Sequence, residues 1–521
     1  MFKNPSKVWL LVFIVIIIGG HYFTPLLPEV MLSKPPDETT TTITATLDVP
    51  EAKKVDERPK PLFVIKTYFY PISKSFNESD AVVTLFNAER YKYVDYKYEC
   101  KRTFENQSTQ VAVGALIDLD VSPGICKLAI FRLTCLFPPS DEDINEFYVG
   151  VGSVGGEVEY GELTVTHPNK KPYKFVSCMS RMVAVDDWAM IIFAMETFRL
   201  FGGELAVAIV ECAIREVMDL LRLYEKDGIL KVQPGFKPRV LSYLDYDPNT
   251  ETEYANQVSN SQLCMYDFKE SAEFISFPDW DDILIGTHNG KRFLTYYESF
   301  APFLTSNPNA AAFGVNRINA YLKIPFRKTD KSFSLAASLN QTYFIPTYTD
   351  QKTVIRPQLV AGNWIHQSKL QENPAYNQIS VNSMVATFAH LHNFVTSKSN
   401  NGKIPKSAQP FNSVTDYVDS GALDTNFKKM VKRHTFAFDH TKYPYFRLFF
   451  RLLQRCYVGI LNDLFTGNIT YCPTPKRCTF PVQNVEVVKM KQKFNKPFVT
   501  GPFTWHERKS VKFITSYHGC L

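Results

Sequence analysis

Residues 174–277 alternate short apolar runs with longer amphipathic segments, and this order constrains the fold more than any other feature of the sequence. Short apolar runs are typical of buried strands, whereas apolar residues spaced three and four apart are typical of helices. The predicted strands are residues 174–179, 205–210, 229–232 and 272–277. The predicted helices lie around residues 188–198, 217–224 and 256–268, and the first is capped by Asp186 or Asp187. The order βαβαβαβ predicts an α/β fold with a mostly parallel sheet flanked by helices.

Three carboxylates, Asp279, Asp281 and Asp282, directly follow the last of these predicted strands. In such sheets ligands bind beyond the carboxyl ends of the strands. Carboxylates crowded there repel one another unless a cation compensates them. Hard oxygen ligands suit Mg²⁺ or Mn²⁺, which usually also hold a substrate phosphate. If the segment continues as a strand, Asp279 and Asp281 point to the same side and share one cation, while Asp282 points to the other side.

The N-terminus predicts a membrane anchor. Residues 8–28 carry no charge and are strongly apolar up to Ile18, a length near the ~20 residues that a spanning helix needs. Lys3 and Lys7 favour a cytoplasmic N-terminus and a translocated body. A cleaved signal peptide is the alternative, although Ile18 fits its cleavage pattern poorly. The predicted order is therefore a cytoplasmic tail at residues 1–7, a type II signal anchor at 8–28 and a flexible Thr- and Pro-rich stem at 29–61.

Sequons and cysteines agree with a lumenal body. Glycosylation sequons begin at Asn77, Asn106, Asn340 and Asn468. All ten cysteines lie at Cys100 or later, and an even number in an oxidising compartment predicts disulfides. Cys472 and Cys478 flank a short loop and are the favoured local pair, with buried free thiols as the alternative.

The rest of the chain divides by pattern. Residues 62–171 show short β-like runs separated by Gly and Pro, which predicts an all-β module, a sandwich. Residues 172–400 form the predicted catalytic domain. Residues 401–521 form a helical or irregular region packed on it, with a helix at 445–464 that is too charged to be a second membrane span. The 58 basic and 52 acidic residues are spread along the chain, which argues against nucleic-acid binding.

Several motifs resemble glycosyltransferase family 92. They comprise residues 176–180, Trp188, Glu196, residues 201–203, Asn256 and Gln257 before Cys264, residues 274–284, Arg356 and Pro357, His366 and His390. The similarity spans about residues 174–393, and its most specific part is the aspartate segment 279–282. It implies a GT-A-type, Rossmann-like fold, a UDP-sugar donor (typically UDP-galactose), Mn²⁺ (or Mg²⁺) dependence and inversion at the anomeric carbon.

With the anchor and stem, the resemblance is to a nematode-type, single-pass Golgi membrane member with a lumenal catalytic domain. Its partners are then a nucleotide sugar and a glycan or glycoprotein acceptor, since animal members transfer galactose to fucose on N-glycan cores. The sequence leaves open whether the chain forms a homodimer. It also leaves open the catalytic base, because Glu298, Asp330 and Asp350 all follow the motif and none is singled out.

Our working hypothesis assigns roles to individual residues at this site. Asp279 and Asp281 hold the metal with His390 as a third ligand and His366 behind it. Asp282 contacts the bound cofactor or orients one of the ligands.

This chain departs from the family pattern in two places. Many members have a basic residue two places after the late His, but this chain has His390-Leu391-His392-Asn393. If the basic residue of other members contacts the donor diphosphate, either His392 makes this contact here or the activity of this chain is weakened. Residues 315–319 differ where many members have Trp with small residues, so the acceptor stays open. A lumenal carbohydrate-binding protein on a decayed transferase fold is the alternative function, and a metal-dependent hydrolase is a weaker one.

Overall fold

The computed structural model describes residues 60–90, 96–119, 124–287, 293–322, 333–340, 342–368, 370–392, 409–410, 420–444, 450–479 and 484–520. The chain divides into two units, Met1–Glu57 and Arg58–Leu521, and every described residue belongs to the second. The predicted tail, signal anchor and stem up to residue 59 lie outside the described residues. Within the described part of the chain, no helix is long and apolar enough to cross a membrane.

The first large sheet joins the N-terminal β-rich region to the end of the chain. Its strands are β1 (Lys60–Tyr70), β2 (Asp80–Glu89), β3 (Tyr96–Phe104), β4 (Thr109–Asp118), β5 (Leu128–Phe137), β6 (Ile144–Ser153), β7 (Glu159–Leu163), β8 (Val165–Thr166), β11 (Cys212–Ile214), β23 (Val487–Phe494), β24 (Phe498–Thr500) and β25 (Phe503–Ser516). Their order is β11-β23-β25-β1-β2-β5-β4-β3-β6-β7, with β24 beside β25 and β8 beside β1. The prediction of a helical or irregular end of the chain is corrected for β23, β24 and β25, because β25 pairs with β1 and completes this sheet.

The second large sheet contains the predicted strand–helix alternation. Its strands are β9 (Tyr173–Cys178), β10 (Leu205–Val210), β12 (Leu230–Pro234), β13 (Ala272–Ser276), β14 (Asp282–Thr287), β15 (Phe293–Leu294), β16 (Ala310–Leu322), β17 (Thr342–Ile355), β20 (Asn377–Val381), β21 (Ala386–His392) and β22 (Gln409–Pro410). Their order is β12-β10-β9-β13-β17-β16-β21-β14-β15, with β20 beside β16 and β22 beside β17. Two short strands, β18 (Val360–Gly362) and β19 (Leu370–Gln371), pair with each other in a small antiparallel sheet of their own.

The parallel prediction holds for one half of the second sheet. Strands β12, β10, β9 and β13 run parallel to one another. All of β10 is buried, as expected for a strand covered on both faces. In the other half of the sheet, three pairs of strands are antiparallel: β13 with β17, β16 with β17, and β14 with β21. The sheet as a whole is therefore mixed, and the fold is α/β.

The helices follow the predicted pattern closely. They are α1 (Trp188–Leu200), α2 (Arg215–Lys226), α3 (Gln257–Asp267), α4 (Tyr296–Phe300), α5 (Phe303–Ser306), α6 (Leu335–Asn340), α7 (Gly421–Arg433) and α8 (Phe450–Phe465), with short 3₁₀ turns at Pro248–Thr250, Glu253–Ala255, Pro357–Leu359 and Pro475–Arg477. The Asp187 side chain caps α1 by accepting a hydrogen bond from the Met190 amide at 3.0 Å. The first three helices confirm the predicted helical segments between the parallel strands.

Helix α3 connects the two large sheets and is buried over residues 258–267. The Tyr68 hydroxyl on β1 donates to the Leu263 carbonyl at 3.0 Å, and Lys66 on the same strand pairs with Asp267 at 2.7 Å. Apolar residues of β1, β2 and β5 share one core cluster with residues of β9, β10 and α3. The expected separate β module at residues 62–171 is therefore not separate: its strands are as predicted, but its inner face is buried against the catalytic region.

Ten cysteines form five disulfides. They are Cys100–Cys135, Cys126–Cys472, Cys178–Cys264, Cys212–Cys520 and Cys456–Cys478. The prediction of disulfides is supported, but the favoured local pair is wrong. Cys472 and Cys478 flank the 3₁₀ turn Pro475–Arg477 and bind to two different parts of the fold, so the short turn is fixed from both sides.

Candidate active site

The aspartate segment contains a tight turn and connects β13 to β14, two strands that are consecutive in the sequence but separated in the second sheet by β17, β16 and β21. Strand β13 ends at Ser276 and β14 begins at Asp282. The Asp282 amide donates to the Asp279 carbonyl at 3.0 Å, and the Asp279 amide donates to Asp282 Oδ2 at 3.1 Å. Because the segment does not continue as a strand, the expected alternation of its three side chains does not apply.

His390 lies beside two of the aspartates. Strand β21 places His390 opposite Asp282 of β14 and opposite Asn319 of β16. His390 Nδ1 lies 2.8 Å from Asp282 Oδ1 and 3.6 Å from Asp281 Oδ1. The Leu391 amide fixes the turn by donating to the Asp281 carbonyl at 2.7 Å. Sheet register thus brings together residues that lie more than a hundred positions apart.

These three side chains form a candidate metal centre. Asp281, Asp282 and His390 offer ligand atoms that all lie within 4.8 Å of one another. Two carboxylates and one imidazole are a donor set suited to Mn²⁺. The predicted ligands Asp281 and His390 are therefore adjacent, and Asp282, expected to orient a ligand, contacts His390 directly. Whether these residues bind a metal stays a prediction.

Two basic residues neutralise the aspartates, and sequence reasoning did not identify either of them. The fully buried Lys352 of β17 lies 2.6 Å from Asp279 Oδ2 and 3.4 Å from Asp282 Oδ2. Arg317 of β16 lies 3.8 Å from Asp282 Oδ1. Asp279, a predicted metal ligand, is thus paired with Lys352 in this structure. The sequence neighbours of Lys352 are the polar residues Asp350, Gln351 and Thr353, so no local signal indicated that this lysine is buried.

The electrostatics separate the roles of the carboxylates. Burial alone would raise the pKa of Asp282, but Lys352 and a hydrogen bond from His390 hold it well below its usual range. Burial raises the pKa of Asp281, and its neighbours Asp282 and Asp279 raise it further. Burial would lower the pKa of His390, but Asp281 and Asp282 raise it. Asp282 is therefore a fixed anion, whereas the pKa of Asp281 is raised despite the neighbouring His390, and a bound cation would favour its ionised form.

The turn opens into a cleft of about 370 Å³. Its lining includes Arg181, Tyr254, Asp279, Asp281, His390 and Tyr457. The cleft lies beyond the carboxyl ends of β9 and β13, the place where ligands bind in sheets of this type. Its far wall is helix α8, which contributes Tyr457. A volume of a few hundred Å³ is typical of a small-molecule site.

An aromatic wall with a strained backbone borders the cleft. Tyr254, Ala255 and Asn256 have φ angles of 48°, 54° and 69°, a left-handed run without glycine. The Tyr254 ring lies 5.1 Å from the Tyr457 ring and 5.7 Å from the Trp364 ring. Such strain persists only where the surroundings enforce it, and it is concentrated at functional sites. The wall offers aromatic faces on which a sugar ring can stack.

The remaining predicted residues lie elsewhere or outside the described part. His366 Nδ1 lies 2.8 Å from the Gln351 carbonyl, one residue before Lys352. His392 ends β21 opposite Tyr321, and its side chain lies outside the described residues. Glu298 forms the capping box of α4 with Thr295. Asp350 is exposed, and Asp330 lies outside the described residues.

The four sequon asparagines, Asn77, Asn106, Asn340 and Asn468, are all exposed. Their surface positions are compatible with glycosylation, which stays a prediction.

The family model for glycosyltransferase family 92 matches residues 173–434, half of the chain. The chain belongs to glycosyltransferase family 92. The resemblance inferred from the motifs is thereby confirmed. The matched residues contain the aspartate turn, both basic partners and His390, but not β23, β24 and β25.

Several curated relatives from Caenorhabditis elegans are similar over most of their length. Glycosyltransferase family 92 protein F59C6.8 is 26% identical over 442 residues, covering 81% of both chains. Glycosyltransferase family 92 protein C33H5.2 is 24% identical over 499 residues, covering 89% of this chain and 91% of its own. The similarity therefore includes regions on both sides of the family model.

Among solved structures, TarS of S. aureus in complex with UDP is similar at 12% identity and a TM-score of 0.25, covering 52% of this chain and 74% of its own. At that TM-score we base no argument on the likeness.

Proposed function

We propose that this glycosyltransferase is metal-dependent and transfers a sugar from a UDP-sugar donor to a glycan acceptor in the cleft beside Asp281. The observation that supports this most strongly is the group Asp281, Asp282 and His390, whose ligand atoms lie close together at the edge of the cleft. An acidic turn alone is weak support, but a turn whose buried carboxylate is bonded to a histidine and paired with a lysine is an organised site.

The side chains divide the work in this proposal. Asp281 and His390 hold the cation, and Asp282 orients His390 through its 2.8 Å contact with Nδ1. Lys352 pairs with Asp279 and Asp282 and fixes the turn. A bound Mn²⁺ or Mg²⁺ would supply the positive charge that stabilises a departing diphosphate. The aromatic wall excludes water from one side of the cleft and positions a sugar ring.

The finer assignments rest on family resemblance. They are galactose as the transferred sugar, inversion at the anomeric carbon, fucose on N-glycan cores as the acceptor, and a Golgi membrane location with the body in the lumen. Direct inversion requires a base at the acceptor hydroxyl, and we assign none. A carbohydrate-binding protein without turnover is the second candidate, favoured by the departure from the family pattern at residues 390–393.

A UDP-release screen tests the proposal. The full chain in detergent is incubated with several UDP-sugars and with fucosylated glycans, in the presence of Mn²⁺ or of a chelator. We expect UDP release that requires both Mn²⁺ and acceptor. Glycan binding without UDP release from any donor would favour the second candidate. UDP release unchanged by the chelator would contradict the metal dependence.

A further inference from the structure

A second group of charged side chains lies beside the same cleft and reaches it through Arg181, and the proposed metal centre does not use this group. We call Arg181, Glu211, Lys237 and Lys476 the cationic group. The Glu211 carboxylate accepts hydrogen bonds from Arg181 and Lys476, and Lys237 Nζ lies 2.5 Å from its Oε1. The Ser180 amide beside Arg181 donates to the Pro278 carbonyl at 3.0 Å, which joins this group to the aspartate turn.

The cationic group is not electrically balanced. Three positive side chains surround one carboxylate, and the side chains of Arg181, Glu211 and Lys476 are 2%, 1% and 9% exposed. Asp247 also attracts the two lysines, but it is exposed and accepts a hydrogen bond from the Asn249 amide. Buried charges are stable only when paired. An excess of positive charge in this position therefore favours binding of an anion.

Arg181 has free hydrogen-bonding capacity at this position. Among the residues that the structure describes, its Nε and Nη1 atoms have no hydrogen-bond partner, although both are buried. Arg181 lines the cleft. A planar guanidinium with two unused donors is suited to the oxygens of a phosphate. Burial and the positive charge of Arg181 together lower the pKa of Lys237 to about 8, and burial also lowers the pKa of Lys476, so a bound anion would favour the charged forms of both lysines.

Lys476 comes from beyond the family-matched residues. It lies on the 3₁₀ turn Pro475–Arg477, which the disulfides Cys126–Cys472 and Cys456–Cys478 hold at both ends. The Thr474 hydroxyl accepts a hydrogen bond from the Ala255 amide at 3.1 Å, which ties the turn to the strained segment of the cleft. The end of the chain is thus built into the wall of the site.

We infer that Arg181, Lys237 and Lys476 bind the phosphates of a nucleoside diphosphate, without the metal ion. This inference rests on the proposed function, because it assigns a second contact for the same donor. The metal centre and the cationic group would then hold the diphosphate from two sides. Binding to the cationic group alone requires only an anion with two or more charges.

Binding of UDP, UMP, uridine and inorganic pyrophosphate to the full chain in detergent, all with a chelator present, tests the inference. We expect wild type to bind UDP and pyrophosphate and to bind uridine much more weakly. Lys476→Gln and Arg181→Gln should each weaken UDP binding about tenfold or more, since each removes a charge-assisted hydrogen bond. Lys442→Gln is the matched control, because Lys442 is 81% exposed.

Thermal unfolding separates a ligand role from a structural one. Lys476→Gln should unfold at or above the wild-type temperature without ligand, because it reduces the excess charge, and pyrophosphate should no longer stabilise it. Glu211→Gln should unfold at a lower temperature. UDP affinity equal to wild type in folded Lys476→Gln and Arg181→Gln would overturn the inference. If these variants lose pyrophosphate binding while wild type turns over no UDP-sugar, the anion site stands and the proposed function fails.

Discussion

The cleft is bordered by two charged groups of opposite character. The acidic group has three carboxylates, and Lys352, Arg317 and His390 neutralise it from neighbouring strands. The cationic group has three positive side chains around Glu211 alone. The charges of the acidic group are nearly balanced, and its carboxylates and imidazole offer ligand atoms for a metal ion. The cationic group carries an excess of positive charge and offers hydrogen-bond donors. The difference indicates separate tasks: the acidic group suits a cation, and the cationic group suits the phosphates.

Substitution of the aspartates should have the largest effect on activity. Asp281→Asn keeps the size of the side chain but removes a ligand charge, so we expect Mn²⁺-dependent UDP-sugar turnover to fall about hundredfold or more. Asp279→Asn should do less, because Asp279 is engaged by Lys352. Initial rates of UDP release measure both. Equal losses in the two variants would show that Asp279 is itself a ligand, as the sequence predicted.

Removing one cation from each group should affect stability in opposite ways. Lys352→Met leaves the buried Asp282 without its lysine, so we expect a loss of about 3–5 kcal/mol in the free energy of unfolding. Lys476→Gln should cause no loss, because its group already carries excess charge. Denaturant titration with tryptophan fluorescence measures the difference. If both variants lose a similar amount of unfolding free energy, the two groups do not differ in charge balance as we describe.

The Cys456–Cys478 disulfide should matter for the cationic group more than for the acidic one. Cys456→Ser with Cys478→Ser releases one end of the turn that bears Lys476. We expect a loss of about 3 kcal/mol in the free energy of unfolding and weaker metal-free UDP binding. The control is Cys100→Ser with Cys135→Ser, which removes a disulfide of the first sheet. If the control weakens UDP binding as much, the effect is not local.

His506 provides a pH response unrelated to either group. It is buried on β25, stacked on Phe63 at 5.7 Å, and burial lowers its pKa from 6.5 to about 4. Between these values the unfolded chain binds a proton that the folded chain does not, so stability falls as pH drops below 6.5. We expect His506→Gln to reduce this dependence by about 1–2 kcal/mol at pH 5. Denaturant titrations at pH 7 and pH 5 measure the free energy of unfolding of both proteins. If the difference between the two pH values is the same in wild type and His506→Gln, another group causes the pH dependence.

Local patterns predicted the parallel half of the second sheet well. Leu205–Val210 is a strand with the predicted bounds, and Asp187 caps the first helix as expected. The aspartate turn was visible because its residues are adjacent in the sequence. Periodicity and capping are local properties, so the sequence is sufficient to reveal them.

Long-range pairing could not be predicted from one sequence. Lys60 pairs with Phe503 across almost the whole chain, and Cys126 bonds to Cys472 across 346 positions. Lys352 and Arg317 contact the aspartates, and Lys476 contacts Glu211, from separate elements that no local pattern connects. The charged partners of the aspartates, and the entire cationic group, therefore became visible only in the fold.

Direct counting of bound Mn²⁺ tests the central claim, that Asp281, Asp282 and His390 form a metal centre. Electron paramagnetic resonance measures free and bound Mn²⁺ with saturating UDP for wild type, Asp281→Asn and Lys442→Gln. We predict one tightly bound Mn²⁺ per chain for wild type and Lys442→Gln, and about a hundredfold weaker binding for Asp281→Asn. Equal Mn²⁺ affinity in wild type and a folded Asp281→Asn would contradict the account and leave the segment as an acidic turn.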